Sequence, residues 1–198
     1  MTLRLAFFAV FAFFCGAIPM AYWVGKRFKN IDIREHGSGN VGSTNAFRVL
    51  GRGPGLFVFV FDFAKGYLPV FLFTGDLGAD PSNAVGALLV GLAAMLGHIF
   101  SPFLGFKGGK GVATGAGVLA ALYPLLFVLT MLVWLATFLF SRTVSISSLT
   151  ALFSLVIFSF FLQPSRWVTL FLCFFFLLIL WTHRSNLQRL FSGQEKSL

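Results

Sequence analysis

Residues 111–140 read GVATGAGVLAALYPLLFVLTMLVWLATFLF, an apolar stretch with one proline near its centre and no charged residue. At about 1.5 Å of rise per residue, one unbroken helix of this length would reach about 45 Å, whereas the hydrocarbon core of a membrane is about 30 Å thick. Pro124, preceded by Tyr123, offers a break because proline cannot continue a helical hydrogen-bond ladder. The stretch therefore predicts either one overlong span or two short helices that meet near Pro124.

The composition of the whole chain is typical of an integral membrane protein. Of its 198 residues, 58% are hydrophobic and 11% are charged, whereas soluble domains have roughly 45–50% apolar and 25% charged residues. The net charge of +9 does not indicate nucleic-acid binding, because the basic residues are spread over short loops between apolar runs. Cys15 and Cys173 lie in separate apolar runs, so neither a disulfide framework nor a metal site is predicted.

Further spans are predicted at residues 3–24, 55–73, 83–100, 146–162 and 167–181, since a crossing needs about 20 apolar residues. The first run superficially resembles a signal peptide. It continues to Val24, ends in Lys26 and Arg27, and has no convincing cleavage site. We therefore expect it to be a retained first span.

Loop charge favours two short helices over residues 111–140. The loop after the first span is basic and is expected in the cytoplasm under the positive-inside rule; it carries Lys26, Arg27, Lys29, Arg34, Arg48 and Arg52. The next connection has Asp76 and Asp80 and is expected outside, and a single crossing over 111–140 would then leave the basic C-terminal tail outside. We predict an all-α membrane protein of about seven transmembrane helices, some short, with the N-terminus outside and the C-terminus cytoplasmic. Residues 1–198 form one polytopic domain in this prediction.

The first of two polar, glycine-rich stretches, GSGNVGSTNAFR, covers residues 37–48. Glycine permits close backbone approach, so that successive N–H groups can converge on an anion, and an arginine can clamp a phosphate with two hydrogen bonds. The alternative is an ordinary connecting loop, because the same residue types are common in turns. The candidate ligands of a phosphate here are Gly37, Ser38, Asn40, Thr44, Asn45 and Arg48.

The second stretch, FKGGKGV, covers residues 106–112. From Gly105 its pattern is G-x-x-x-G-K-G, which is one residue short of a Walker A motif and has Gly111 where Ser or Thr would bind magnesium. What remains is a cationic glycine loop at a helix start, where lysines and free N–H groups favour an anion. Headgroup anchoring by the lysines is the alternative. The candidate phosphate ligands are Lys107, Gly108, Gly109, Lys110 and Gly111.

Charged and polar residues elsewhere have two interpretations each. Asp62 and Lys65 share one helical face inside the second span and form either a structural ion pair or a substrate contact. His98 and His183 follow apolar runs that end on the predicted cytoplasmic side, where each is a candidate for proton transfer or phosphate binding. Ser145, with Ser147 and Ser148, opens the sixth segment as a helix cap or a hydroxyl binding site, and capping is the simpler expectation.

In combination and in this order, these motifs closely resemble the bacterial acyl-phosphate:glycerol-3-phosphate acyltransferase family. The resemblance covers almost the whole chain, and Leu187 stands where the family usually has isoleucine, a volume-conserving change. The matching residues are GSGNVGSTN at 37–45 with Arg48, Asp62-Phe63, Lys65-Gly66, Gly97-His98, FKGGKGVAT at 106–114, and His183-Arg184 with Asn186, Arg189, Gly193 and Glu195.

The resemblance implies transfer of a fatty acyl group from acyl phosphate to the 1-hydroxyl of sn-glycerol 3-phosphate, giving lysophosphatidic acid and phosphate for phospholipid biosynthesis. It implies no cofactor, no metal and no acyl-CoA, and a location in the bacterial inner membrane with the active site at the cytoplasmic face. The partners are the two substrates, the lipid bilayer and an enzyme that forms acyl phosphate nearby.

The resemblance also implies site residues. The catalytic group is Ser38, Lys107, His183 and Asn186; the substrate-binding group is Gly37, Asn40, Thr44, Asn45, Arg48, His98, Gly108, Gly109, Lys110, Gly111, Ser145 and Glu195. We expect direct attack of the acceptor hydroxyl, with His183 or a phosphate oxygen as base and Ser38 as hydrogen-bond donor; a transient acyl-Ser38 is the alternative. A transporter of organophosphates is the competing class, although no internal repeat is visible.

Overall fold

The computed structural model describes residues 3–75, 84–163 and 165–197, and these residues are helical or irregular, without a strand. The all-α prediction is confirmed for them, while Asp76, Asp80 and Asn83 lie outside the described residues. The α-helices are α1 (Leu3–Ala17), α2 (Met20–Lys29), α3 (Ser43–Leu50), α4 (Arg52–Thr74), α5 (Ala84–Ile99), α6 (Val112–Leu122), α7 (Pro124–Ser141), α8 (Val144–Leu162), α9 (Arg166–Thr182) and α10 (Arg184–Phe191). Two short 3-10 helices, Ile33–Glu35 and Pro102–Leu104, lie in the loops.

The described chain divides into two compact units, residues 1–122 and 123–198. In the first unit α1 packs mainly on α5, and α4 packs mainly on α6. Glycines allow the backbones to approach: a methyl group on Gly97 would overlap the carbonyl oxygen of Phe13, and one on Gly117 would overlap that of Phe63. Small residues at helix contacts are the usual solution in membranes, where lipid is as apolar as the side chains.

The first predicted span is not one continuous helix. α1 ends at Ala17 and α2 begins at Met20, and the helix then runs past the predicted end at residue 24 to Lys29. The break falls at Ile18 and Pro19, because proline has no amide hydrogen and its ring disfavours the helical conformation of the residue before it. The carbonyl groups of Ala17 and Ile18 thereby leave the helical ladder, and that of Ile18 accepts a hydrogen bond of 3.1 Å from the amide of Met20.

Residues 111–140 form two helices, as the loop-charge argument favours. α6 ends at Leu122 and α7 begins at Pro124, so the predicted break at this proline is confirmed. Among the described residues, five segments are long and apolar enough to cross a membrane: Leu3–Lys29, Arg52–Thr74, Ala84–Leu104, Pro124–Ser141 and Val144–Leu162. A sixth is added when α9 and α10, which are bent by 61°, are taken together, while α6 is a shorter apolar helix. The count of seven and the orientation of the termini stay predictions.

In the second unit α7 packs against α8 and α8 against α9, with α10 following α9. The indole of Trp134 donates a hydrogen bond of 3.2 Å to the hydroxyl of Ser148, and Phe153 contacts Phe176. This unit contains the tail residues that the sequence analysis singled out.

Candidate functional site

An apolar cluster brings the two glycine-rich stretches to one end of the first unit. Val41 from the first stretch and Leu104, just before the second, are both buried in it. The other buried members come from α2, α3, α4 and the loop between α2 and α3: Ala21, Val24, Ile33, Ala46, Leu50 and Val58. Ser38 and Lys107 are exposed on the two loops, and Arg48 is half-buried. The structure therefore groups, at one end of this unit, the two loops that the sequence marks as phosphate-binding.

The side chain of Asn45 holds the first loop together. Its Oδ1 accepts a hydrogen bond of 2.8 Å from the amide of Ser38. Its Nδ2 donates to the carbonyl oxygens of His36 at 3.0 Å and Ile33 at 3.2 Å. Asn45 is 1% exposed. The substrate contact of Asn45 stays a prediction, and in the structure its side-chain amide is engaged by the loop backbone.

Backbone amides of the first loop also donate hydrogen bonds to other groups of the same loop. The amide of Gly42 donates to Asn40 Oδ1 at 2.9 Å, and that of Gly39 donates to the carbonyl of His36 at 3.0 Å. The expectation that these successive amides are free to converge on an anion is therefore wrong for Ser38, Gly39 and Gly42. The first turn of α3, which begins at Ser43 without a side-chain cap, has amides that lack partners within the helix. Thr44 lies in that turn.

An ion pair lies at the start of the same loop. Arg34 Nη2 is 2.7 Å from Asp32 Oδ2. The hydrogen bonds from Arg34, together with its charge, lower the pKa of Asp32 to about 2. Asp32 therefore stays ionised and continues to cap the short helix Ile33–Glu35 through the amide of Arg34.

The second loop packs onto the end of α5. The amide of Gly108 donates to the carbonyl of Ile99 at 2.9 Å, and that of Gly109 donates to the carbonyl of His98 at 3.0 Å. A methyl group on Gly108 would overlap the His98 carbonyl oxygen, and one on Gly109 would overlap His98 Nε2. The expectation of free amides at Gly108 and Gly109 is therefore wrong, because the last carbonyls of a helix need donors from outside its ladder. Gly111, at φ 85°, turns the chain into α6, near the half-buried Lys110.

Buried charges lie beside this loop. Lys65 Nζ is 2.7 Å from Asp62 Oδ1, so the two residues form the structural ion pair that was one of their two interpretations. Lys65 also donates a hydrogen bond of 3.0 Å to the carbonyl of Ile18 in the helix break. His98 Nδ1 is 3.8 Å from Asp62 Oδ1. Within the described residues, Asp62 Oδ2 is a buried oxygen without a hydrogen-bond partner.

A small cavity adjoins the helix break and both loops. Its wall includes the polar side chains of Lys65, His98 and Ser101, which come from α4, α5 and the turn after α5. The lining is Gly16, Ala17, Ile18, Pro19, Val41, Lys65, His98, Ser101, Leu104 and Gly108. The cavity thus joins the break, the buried charges and the glycine-rich stretches into one connected region of the first unit.

Three polar side chains of the second unit converge on Glu195. Its Oε1 accepts hydrogen bonds from Ser145 Oγ at 2.8 Å and from Asn186 Nδ2, and its Oε2 is 2.7 Å from Arg189 Nε. Partial burial opposes ionisation of the carboxyl, but the hydrogen bonds from Asn186, Ser145 and Arg189 outweigh it and lower the pKa of Glu195. The structure thereby joins three predicted site residues, Ser145, Asn186 and Glu195, and adds Arg189, to which no role was predicted.

The expectation that the serines cap α8 is wrong. Thr143 precedes the helix and makes no side-chain cap. Ser147 donates to the carbonyl of Thr143 at 2.9 Å, one turn back, whereas Ser145 is bound to Glu195.

His183 lies buried at the junction of α9 and α10. Its Nδ1 is 2.8 Å from the carbonyl oxygen of Ile179. A carbonyl only accepts, so Nδ1 carries the proton of this bond, and in the neutral ring Nε2 keeps its lone pair. This tautomer is the one a general base needs when it acts through Nε2.

Ser101 is a residue that sequence reasoning missed. It is buried, and its hydroxyl donates a hydrogen bond of 2.6 Å to the carbonyl of Ala17. A serine next to a proline is an ordinary turn feature, so nothing in the local sequence marks it. As to metals, the described residues include no group of three or more His, Cys, Asp or Glu side chains that could hold an ion.

Comparison with known proteins decides the family. The family model described as glycerol-3-phosphate acyltransferase matches residues 6–193. The chain belongs to this family. The predicted resemblance is confirmed at the level of a membrane glycerol-3-phosphate acyltransferase acting in phospholipid synthesis.

Relatives of this family match over nearly their full length. The glycerol-3-phosphate acyltransferase of Listeria monocytogenes is 42% identical over 100% of this chain and 98% of its own, and that of Fusobacterium nucleatum is 38% identical over 95% of each. Two crystal structures of PlsY (YgiH), an integral membrane glycerol 3-phosphate acyltransferase, also match. The glycerol 3-phosphate form has a TM-score of 0.91 at 38% identity, covering 98% of this chain and 95% of that one. The lysophosphatidic acid form has a TM-score of 0.88 at 37% identity, with the same coverage.

Proposed function

We propose that this acyltransferase transfers a fatty acyl group from acyl phosphate to the 1-hydroxyl of sn-glycerol 3-phosphate, releasing lysophosphatidic acid and inorganic phosphate. The solved relatives in glycerol 3-phosphate and lysophosphatidic acid forms support this acceptor and this product. The acyl phosphate donor is supported by the resemblance of the polar stretches. The single observation that carries the proposal is the grouping of two cationic, glycine-rich loops at one end of the first unit.

Two phosphorylated substrates need cations and N–H donors. We assign Lys107, Lys110 and the amides that begin at Gly111 to the phosphate of acyl phosphate, with Ser38 as a further donor. Gly108 and Gly109 give the loop its shape in this assignment, since their amides are engaged by α5. The apolar chain of the donor then remains in the bilayer.

We assign Arg48, Ser145, His183 and Asn186 to glycerol 3-phosphate. Glu195 holds Ser145 and Asn186 in place through its Oε1. Substitution of any of the four assigned residues is expected to raise the KM for glycerol 3-phosphate more than the KM for acyl phosphate.

The reaction proceeds by direct attack of the 1-hydroxyl oxygen on the acyl carbon. The new ester C–O bond forms, the bond from the acyl carbon to the phosphate oxygen breaks, and the hydroxyl proton passes to His183 Nε2 or to a phosphate oxygen. The leaving phosphate already carries negative charge, so the enzyme mainly positions the substrates and neutralises charge. An acyl-serine route would need a base at Ser38. Among the described residues of the first unit, no basic side chain is hydrogen-bonded to Ser38 Oγ.

The test is phosphate release by the purified chain in detergent or a lipid mesophase, without added metal. We expect release from palmitoyl phosphate that depends on glycerol 3-phosphate and yields lysophosphatidic acid, and no turnover with palmitoyl-CoA. A burst of phosphate without glycerol 3-phosphate would replace direct attack by the acyl-Ser38 route. Turnover with palmitoyl-CoA alone, in protein shown to be folded, would overturn the assigned donor.

The location follows from the topology prediction. We propose the bacterial inner membrane, with the active site at the cytoplasmic face, where glycerol 3-phosphate is available and the basic loops are expected. An unstable acyl phosphate must be made nearby, so an enzyme forming it is the functional partner. A host without any such enzyme would contradict this part of the proposal.

A further inference from the structure

We propose that Ser101 and Lys65 are positioning residues, which hold the broken first helix and thereby place the loop of residues 106–111 for phosphate binding. The inference rests on the proposed function in one respect: this loop must bind a phosphorylated substrate. Neither residue is assigned a contact with substrate.

The helix break supplies two carbonyl groups that no longer take part in the helical ladder. Ser101 Oγ donates to the carbonyl of Ala17 at 2.6 Å. The carbonyl of Ile18 accepts hydrogen bonds from Lys65 Nζ at 3.0 Å and from the amide of Met20 at 3.1 Å. Unsatisfied backbone groups are costly inside a membrane protein. The hydroxyl of Ser101 therefore satisfies the Ala17 carbonyl, and Lys65 gives the Ile18 carbonyl a second donor that fixes the break against α4.

An ion pair with Asp62 positions Lys65 to bind the Ile18 carbonyl. Its side chain is 4% exposed and that of Asp62 is 2% exposed. A charge in the membrane interior is expensive unless it is paired, so Asp62 compensates the ammonium while one of its N–H groups reaches Ile18. The ion pair and the bond to Ile18 explain why a lysine lies in the middle of an apolar helix, and this explanation requires no contact with substrate.

Ser101 joins the break directly to the loop. Its hydroxyl binds Ala17, while its own carbonyl accepts hydrogen bonds from the amides of Leu104 at 3.1 Å and Phe106 at 2.8 Å. The loop that follows Phe106 is attached to the end of α5 at Gly108 and Gly109. Ala17, Lys65, Ser101 and Gly108 all line the same small cavity. A shift of the break is therefore transmitted to the loop through one residue.

The experiment compares Ser101→Ala with Ser159→Ala in the purified full-length enzyme. Ser159 is also a fully buried serine, but its hydroxyl binds the carbonyl of Val156 in its own helix. We expect Ser101→Ala to raise the KM for one of the two phosphorylated substrates at least threefold and to change the other less than twofold. Ser159→Ala should change neither KM. Ser101→Thr, which keeps the hydroxyl, should have a KM close to that of the wild type.

Hydrogen exchange gives a second readout. The amides of Phe106, Gly108 and Gly109 should exchange at least several-fold faster in Ser101→Ala than in the wild type. Their exchange rates should be unchanged in Ser159→Ala. If Ser101→Ala fails to fold, Ser101→Cys provides a weaker donor of similar size. The double variant Asp62→Asn with Lys65→Met removes the hydrogen bond from Lys65 to the Ile18 carbonyl without leaving a lone buried charge. This variant should raise the same KM as Ser101→Ala.

The outcomes separate the two proposals. A fall in kcat with both KM values and the loop exchange rates unchanged would mean that Ser101 is merely structural, and would overturn the inference. Wild-type enzyme that does not use palmitoyl phosphate would instead defeat the proposed donor, before any variant is measured. Which of the two KM values responds also tests the assignment of this loop to acyl phosphate.

Discussion

At the scale of single residues, about half of the buried polar side chains in the described part of the chain bind its backbone groups. Asn45 holds the first loop, Ser101 holds the helix break, and Lys65 holds both the break and Asp62. The groups that stay exposed on the loops, Ser38 and Lys107, are those suited to a ligand. The residue types of the candidate site could be predicted from the sequence, because phosphate chemistry limits them to cations, hydroxyls and amides.

Glu195 carries a prediction about pH. Its pKa is lowered in the folded protein, so its contribution to stability is complete above its ordinary pKa of about 4.3 and is lost as the pH falls through the lower folded value. We expect Glu195→Gln to lower the free energy of unfolding by about 1–2 kcal/mol at pH 7, since charge-assisted hydrogen bonds from Arg189 and its neighbours weaken. The difference in the free energy of unfolding between Glu195→Gln and the wild type should become smaller as the pH falls.

The measurement is the thermal unfolding midpoint between pH 3 and pH 7. Glu35→Gln is the matched control, because Glu35 is exposed in the short helix Ile33–Glu35. A Glu195→Gln variant as stable as wild type at pH 7 would contradict the proposed anchoring of Asn186 and Ser145.

At the scale of elements, prolines have two different effects in one chain. Pro124 separates α6 from α7 and Pro19 separates α1 from α2, yet Pro69 lies inside the continuous helix α4. Only the break at Pro124 could be predicted, because the length of its apolar stretch fitted no single span. The break at Pro19 lies in a run of ordinary span length, so composition gives no reason to divide it.

The contact of the second loop with α5 predicts that Gly109 is needed for both stability and activity. Gly109→Ala should lower the free energy of unfolding by about 1–3 kcal/mol, because the added methyl group meets the His98 ring. Displacement of the loop should also reduce kcat/KM, by about tenfold or more. Thermal unfolding and phosphate release measure the two effects.

Gly53→Ala is the control for this substitution. Gly53 lies in the first turn of α4, and a methyl group there meets nothing within 4 Å. Alanine favours helix over glycine, so this variant should be as stable as wild type or slightly more so. Equal losses in both variants would show that the His98 contact is not the cause.

At the scale of the whole molecule, the orientation in the membrane is a prediction of loop charge. We expect an epitope at the N-terminus to be accessible from outside the inner membrane and one at the C-terminus only from the cytoplasm. Protease digestion of spheroplasts, before and after the membrane is opened, measures both. Two termini on the same face would reject an odd number of crossings, and with it the predicted seven.

Composition and local motifs are enough to predict the membrane class, the family, the polar stretches and the break at Pro124. These properties rest on composition, on motifs of neighbouring residues and on the fixed geometry of a helix and a bilayer. Which polar groups the fold engages depends on contacts between distant segments, and it could not be predicted from local sequence. The amides of Gly108 and Gly109 bind carbonyls of α5, and Ser101 binds a carbonyl 84 residues earlier in the chain. The physical reason is that a hydrogen bond needs two groups in place, and a local motif specifies only one of them.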